Sequence, residues 1–372
     1  MVNWGLGVLM KKVATLVMLT LAVPAFAQQP SIQNGKVETR KTAALDREIA
    51  TLAAGATTEP VWVGWRVPVV DGERAGCSTW TDDNFYFRGQ VLDYSPLGST
   101  TPMTRPQPTA QPSGAMALEG GTGLVVLLRL IDGRLERMNR IADDCPIDAG
   151  GRTLFWLDGV TPADSLRILD GYTREDVFER LSMNARRSLT RAALDAIALH
   201  RDAGADAILD RIATGTNSEL RQQAVSLLGS RRGAHGFAML QKLLQGERVS
   251  GSRVELVNAI GQTREPGTVG ALRGLLKDTD PKVRAAAIYY FAIRGGQPVI
   301  SEVTAVIDND ADVNVRKRAV SGLGRLPADT AIPLLIQIAR KNPNPEVQKQ
   351  AVSLLSQSKD PRAIAYLEEI LK

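Results

Sequence analysis

The chain has 372 residues, 44% of them hydrophobic and 23% charged. That is length for two or three domains. The composition is ordinary for a globular protein and excludes both an intrinsically disordered chain and a polytopic membrane protein. With two cysteines and two histidines, a rich zinc or iron–sulfur site is excluded as well.

At the start of the chain, Lys11 and Lys12 precede an apolar run from Val13 to Val23, followed by Ala25-Phe26-Ala27. A positive stretch, a short apolar core and small residues at the cleavage point make a secretory signal peptide. It spans residues 1–27, with Met10 the better initiator and cleavage expected before Gln28. The apolar run is shorter than the roughly 20 residues a membrane-spanning helix needs. The mature chain is therefore expected to be periplasmic or secreted, with no stable membrane span after cleavage. An oxidising compartment predicts a disulfide between Cys77 and Cys145. It would close a loop of 145 − 77 = 68 residues. In the chain-entropy model such a closure is worth roughly 4 kcal/mol.

Residues 28–180 are expected to form an α+β domain. Val37, Leu45, Ile49 and Leu52 suggest an exposed helix over 36–54. Val61–Val70 reads as a strand that Pro68 demotes to an edge or bends. A second strand runs from Phe85 to Val91. Leu124–Ile131, Asp132-Gly133 and Arg134–Ile141 are the strongest hairpin signal in the chain. Thr153–Leu157 is a further strand. Thr161 and Thr173 open two short helices with capping-box character. Residues 95–114 hold five prolines and read as a mobile surface loop.

Composition changes near residue 185. Residues 28–185 carry 16 Lys+Arg and 21 Asp+Glu, net −5; residues 186–372 carry 27 and 19, net +8. Residues 181–372 also repeat. Segments beginning at Leu189, Leu220, Ser252, Val283, Val315 and Val347 align at spacings of 31 or 32 residues. One column is small or nearly so: Ala193, Ala224, Leu256, Ala287, Ala319 and Ala351. Four positions further come Ile197, Leu228, Ile260, Phe291, Leu323 and Leu355. Apolar residues spaced by three and four form one face of a helix. A second helix follows in each unit, with Leu209, Leu240, Leu272, Val303, Leu335 and Leu367 in one column and Ile212, Leu243, Leu275, Val306, Ile338 and Ile370 in another. Asn217, Asp280, Asp312 and Asn344 stand where first helices begin. A hairpin of this size cannot bury its face alone, so neighbours must stack. The expectation is an all-α right-handed solenoid of about six hairpins.

The pattern resembles short bacterial HEAT-like repeats of the kind seen in phycobilisome lyases. VWVGWRVPVV and DDCPIDAGGRTLFWLDGV are similar to an N-terminal region that precedes HEAT-like repeats in some secreted bacterial proteins; that resemblance implies architecture, not activity. Arg221, Arg253, Arg284 and Arg316 share one register near the start of first helices. Either they form a basic ladder for an acidic partner, or they bridge to Asn217, Asp280 and Asp312 and stitch the repeats together. The resemblance to HEAT-like families favours the structural reading.

Among chemical motifs, no Gly-x-Ser-x-Gly, Walker A or dinucleotide fingerprint occurs. The paired His-Glu motifs of HEAT-like di-iron hydroxylases are missing too. His200 and His235 are read as exposed turn residues. Asp82-Asp83 and Asp143-Asp144 suggest a calcium site at most, with solvated loop acids the preferred reading. Trp62, Trp65 and Trp80 are read as core rather than a sugar-binding surface. Trp62 and Trp65 lie three apart and so face opposite sides of a strand. No catalytic residue, cofactor or metal is expected. No continuous basic stripe appears, so nucleic acid is a poor partner. The expected function is an extracytoplasmic scaffold or adaptor that binds a protein partner. The alternative is an enzyme or ligand-binding activity in the N-terminal domain, with the solenoid as adaptor.

Overall fold

The computed structural model describes residues 30–80, 86–88, 90–91 and 121–371. Residues 1–27, expected to be a signal peptide, Asp82-Asp83 and the Pro-rich stretch 95–114 lie outside the described residues, as does the side chain of Trp80.

Ten strands are described. They are β1 (Ile32–Gln33), β2 (Lys36–Lys41), β3 (Val61–Pro68), β4 (Ser78–Trp80), β5 (Tyr86–Arg88), β6 (Gln90–Val91), β7 (Gly123–Ile131), β8 (Arg134–Ala142), β9 (Ile147–Asp148) and β10 (Thr153–Asp158). Five make the main sheet, in the order β2-β10-β3-β7-β8. Strand β10 runs parallel to both β2 and β3, while β3, β7 and β8 form an antiparallel meander.

The β7–β8 hairpin forms as the sequence predicts. Asp132 and Gly133 have φ of 51° and 72°. Two left-handed residues make the tight turn whose twist matches the flanking strands. Two other expectations are corrected. Residues 36–54 are not one helix: 36–41 form β2, and helix α1 (Leu45–Gly55) follows with Leu45, Leu52 and Ala53 buried. Strand β3 is central rather than an edge. Pro68 is tolerated because β10 pairs only with Trp62–Gly64, so the proline lies beyond it and faces β7 alone. Trp62 and Trp65 are both fully buried. Trp62 to Trp65 are all buried, so β3 is covered on both faces along this stretch and residues pointing opposite ways both reach core.

Helices α2 (Pro162–Gly171), α3 (Glu175–Arg180) and α4 (Met183–Ala185) lead out of the sheet. Thr161 caps α2 by accepting the Asp164 amide hydrogen bond. Thr173 does not cap α3; its hydroxyl donates back to the Asp170 carbonyl at 3.0 Å. A π-helical turn at Arg186–Thr190 then opens the repeats.

Six helical hairpins follow among the described residues. The first helices are α5 (Arg191–Leu199), α7 (Ser218–Arg231), α9 (Ser250–Gln262), α11 (Pro281–Gly295), α13 (Val313–Leu323) and α15 (Pro345–Ser356). The second helices are α6 (Gly204–Ala213), α8 (Gly233–Gly246), α10 (Thr268–Leu275), α12 (Ile300–Asn309), α14 (Ala328–Lys341) and α16 (Pro361–Ile370). The side chains of Asn217, Asp280, Asp312 and Asn344 each accept a backbone amide at the start of their helix.

The first-helix columns are buried in every repeat, from Ala193 and Ile197 to Ala351 and Leu355. The second-helix columns are covered less well. Leu243, Leu275 and Val306 are half-buried, and Ile370 is exposed. The cause is spacing. Adjacent first helices touch along their length, whereas second helices touch mainly the first helices. Glycines mark the close approaches. A Cβ on Gly229 would lie 2.3 Å from the Ala259 carbonyl oxygen, and one on Gly261 would lie 2.1 Å from the Tyr290 ring.

Candidate interaction surface

The sheet and the solenoid share one continuous hydrophobic core. The tail of β3 runs directly onto α5. The Val70 amide donates to the Leu199 carbonyl at 2.8 Å, and the Arg201 amide donates to Pro68 at 3.0 Å. Trp65 reaches across to α2, its indole N–H donating to the Ser165 hydroxyl at 3.0 Å. Arg140 on β8 pairs with Asp195 on α5 at 3.4 Å. Strand β8 ends the main sheet, and Ser188 covers part of it by donating to the Glu136 carbonyl.

His200 sits at this junction and corrects the expectation of an exposed turn residue. It is fully buried, in a backbone bridge with Val69. Its Nδ1 accepts from the Asp202 amide, while its Nε2 is buried with no partner. Burial lowers its pKa to about 4, against the attraction of Asp202 and with help from Arg232. Arg232 is itself buried, donating to the His200 carbonyl at 2.7 Å and to Asp206 at 2.6 Å. His235 is exposed, as expected, although it lies in α8, and it faces Asp210 at 3.0 Å.

Two of the four ladder arginines, Arg253 and Arg284, form bridges, and their partners differ from those expected. Asn217, Asp280 and Asp312 are occupied as helix caps. The acceptor is the carboxylate two residues before the cap of the following first helix. Arg253 forms a two-pronged pair with Asp278, and Arg284 grips Asp310 at 2.9 and 3.0 Å. Each acid also accepts the backbone amide of its own cap residue. Hydrogen bonding from Arg253 holds Asp278 below the usual carboxylate range. For Asp310, burial works to raise the pKa, yet the Arg284 guanidinium keeps it low. At the two ends the pattern fades. Arg221 donates only weakly, to Ser252 at 3.4 Å. The position 26 residues after Arg316 is Asn342, and the Nε of Arg316 is buried without a partner.

Glu175 plays an analogous part at the first junction, which sequence reasoning missed. Its carboxylate accepts the amides of Thr216 and Asn217 at 3.0 Å each, so α3 ties down the start of α7. The amide of Asn217, then the Thr216 hydroxyl, hold its pKa low.

Cys77 and Cys145 lie at disulfide distance, with sulfurs 2.02 Å apart and both residues buried. Asp144 is the one carboxylate grouped with them, and sulfurs so joined offer no thiolate to a metal. Asp143 is held by Arg66 at 2.7 Å, so a cation there would meet a guanidinium first. Trp62 and Trp65 lie in the core rather than on an open surface.

The outward positions of the first helices remain. On α7 and α9 these are Gln222, Gln223, Ser226, Asn258 and Gln262, around a groove of about 430 Å3 that also reaches Arg191 and Asp195 on α5. Further along, Tyr289 lies under the Arg318 guanidinium at 3.9 Å. No described helix is long and apolar enough to cross a membrane.

Tightly spaced first helices, splayed second helices and an Asp–Arg bridge between units are the anatomy of a helical-repeat array. Residues 238–312 and 300–372 match the family model of HEAT repeats. Similarity to solved structures is low. Human deoxyhypusine hydroxylase in complex with glycerol is 17% identical, with 55% of this chain and 90% of that chain covered at a TM-score of 0.30. The complex of CpcE and CpcF of phycocyanin lyase from Nostoc is 19% identical, covering 56% and 81% at 0.30. The archaeal HEAT-like repeats protein from Thermococcus onnurineus is 10% identical, covering 56% and 99% at 0.29. Scores this low carry no activity across to the present chain. No curated protein matches it. The match to HEAT repeats spans residues 238–372, from within α8 to the last hairpin of the solenoid.

Proposed function

We propose that the chain is an exported protein-interaction scaffold whose HEAT-repeat solenoid presents its first-helix face to a protein partner. The observation that carries this reading is that face itself. Its helices are closely packed and bridged at their turns by Arg253–Asp278 and Arg284–Asp310, so its side chains are held on a preorganised surface. Binding protein partners is also what HEAT repeats commonly do. The rival reading, a ligand site in the sheet region, has less support, since Trp62 and Trp65, two of the tryptophans it would use, are buried in the core.

The leader over residues 1–27 supports export, and the Cys77–Cys145 pair fits the oxidising compartment that export implies. Arg253 and Arg284 are spent on bridges to the next repeat, which supports a structural reading of those two ladder arginines. Mass spectrometry of the chain recovered from its cell tests the location. A mature terminus at Gln28 and cysteines that resist alkylation without reductant are expected. An intact leader on a cytosolic, alkylatable chain would remove both location and disulfide. Crosslinking in the intact cell tests the scaffold role: a discrete partner adduct is expected, and its absence under expression conditions would refute the role.

A further inference from the structure

Residues 69–73 form a short strap between the sheet and the solenoid. The strap leaves β3 after Pro68 and turns back where the Glu73 amide donates to the Val70 carbonyl at 3.1 Å, with Gly72 at a φ of 81°. Two main-chain bonds pin it to the end of α5, from Val70 to the Leu199 carbonyl and from Arg201 to the Pro68 carbonyl. Its rim is held by two ion pairs, Arg201 with Asp71 and Arg231 with Glu73. The Asp71 side chain is 81% exposed, so water competes with its pair.

His200 is enclosed between this strap, bridged to it through Val69, and the α7–α8 turn, whose Arg232 donates to the His200 carbonyl. Its polar atoms are poorly matched. Nδ1 accepts the Asp202 amide at 3.5 Å, so the proton of the neutral ring sits on Nε2, which is buried without an acceptor. The charged groups around it are committed elsewhere. Asp202 accepts the Gly204 amide at 2.8 Å, and Arg232 holds Asp206 at 2.6 Å. His235 on α8 faces Asp210 and stands 4.0 Å from Asp206. A second proton on His200 would set an N–H at Nδ1 against the Asp202 N–H and place a cation beside buried Arg232. Asp202 attracts that charge but does not offset the lost water. Of the two covers, the strap is the one held at its rim by exposed pairs, so it is the one that yields.

We propose that residues 69–73 are an acid-released strap: protonation of His200 frees them from α5 and lets the sheet region move against the solenoid while the repeats stay folded. The enclosed ring holds out against protonation to about pH 4, whereas a hydrated histidine takes a proton below about 6.5. The strap is therefore held fully above pH 6.5. Its opening constant rises about tenfold per pH unit below that, roughly fiftyfold between pH 7 and pH 4.5.

Hydrogen exchange of the full chain, read by mass spectrometry and corrected for intrinsic rate, follows strap and solenoid separately. Between pH 7 and pH 4.5, peptides covering 68–74 and 198–203 should lose protection roughly fiftyfold, and those covering α11 and α13 should keep theirs. His235→Gln should respond like the unaltered chain. So should the double variant Asp71→Asn, Glu73→Gln, whose rim carries no carboxylate to titrate. His200→Gln should show no acid response, and His200→Leu replaces it if the glutamine variant does not fold. The sequence has two histidines, so ring resonances of the unaltered chain read protonation directly. His200 should titrate well below the ordinary value. Strap protection unchanged in acid, a response kept by the His200 variant, or one lost with Asp71 and Glu73 would each overturn the proposal. So would equal loss across α11 and α13, which is unfolding of the whole chain, or a His200 ring that titrates near 6.5.

Discussion

Removing the Asp310 carboxylate should cost far more than removing a carboxylate of equal charge elsewhere on the solenoid. The side chains of Asp310 and Arg284 are only 10% and 16% exposed. Asp310→Ala deletes two charge-assisted hydrogen bonds from Arg284 and orphans the Asp312 amide at the start of α13. Breaking one side of a fully buried pair costs about 3–5 kcal/mol. Arg284 keeps the carbonyls of Asp278 and Thr279 as acceptors, at 2.9 and 3.3 Å. The expected cost is therefore somewhat less, about 2–4 kcal/mol. Asp329→Ala is the comparison. Asp329 pairs with Arg362 at 2.9 Å, but its side chain is 94% exposed. Water already solvates it, so the midpoint should not move. Urea melts of the full chain followed by far-ultraviolet circular dichroism read both. Equal shifts for the two variants would mean that the ladder is ornament and that repeat coupling lies elsewhere.

Other outcomes follow from the same packing. Leu335→Ala should cost about 2–5 kcal/mol by opening a cavity, while exposed Gln337→Ala stays within about 0.5 kcal/mol; equal costs would put the column assignment out of register. Ala319→Leu should cost about 1–3 kcal/mol by overpacking the closed approach of α13, as read by the same melts. His200 stays neutral in the folded chain down to about pH 4, while unfolded histidine binds a proton below about 6.5. Its contribution is thus complete above pH 6.5 and falls by about 1.4 kcal/mol per unit toward pH 4, roughly 3 kcal/mol in all. His200→Leu should flatten that limb of the stability–pH curve, and an unchanged limb would place the proton uptake on another group.

The solenoid was legible because its information is local and repeated. Six copies of one column make the core face visible, and Asn217, Asp280, Asp312 and Asn344 announce their helices by cap chemistry alone. The sheet was legible only where contacts are short-range, as in the Asp132-Gly133 hairpin. Strand β10 inserts between β2 and β3 from about a hundred residues away, and no periodicity records such a pairing. That insertion makes β3 central despite Pro68. His200 was misread for a related reason. A turn residue is normally exposed, but the tail of β3 covers this one. The ladder arginines were visible by register, whereas their acceptors were not. Asp278 and Asp310 lie two residues before the caps, and only the turn geometry shows which acid faces the preceding repeat. The outward residues Gln223, Ser226 and Asn258 gave no signal, because polar positions on a helix look alike until neighbouring helices bring them together.

Site-specific photo-crosslinking in the intact cell tests the scaffold claim most directly. A photoreactive residue is placed singly at Ser226 and Asn258 on the first-helix face, and at Lys242 and Ala305 on the second helices. The account predicts one partner adduct of the same mass from Ser226 and Asn258 and none from Lys242 or Ala305. Adducts confined to the second helices, or none from any position, would contradict it.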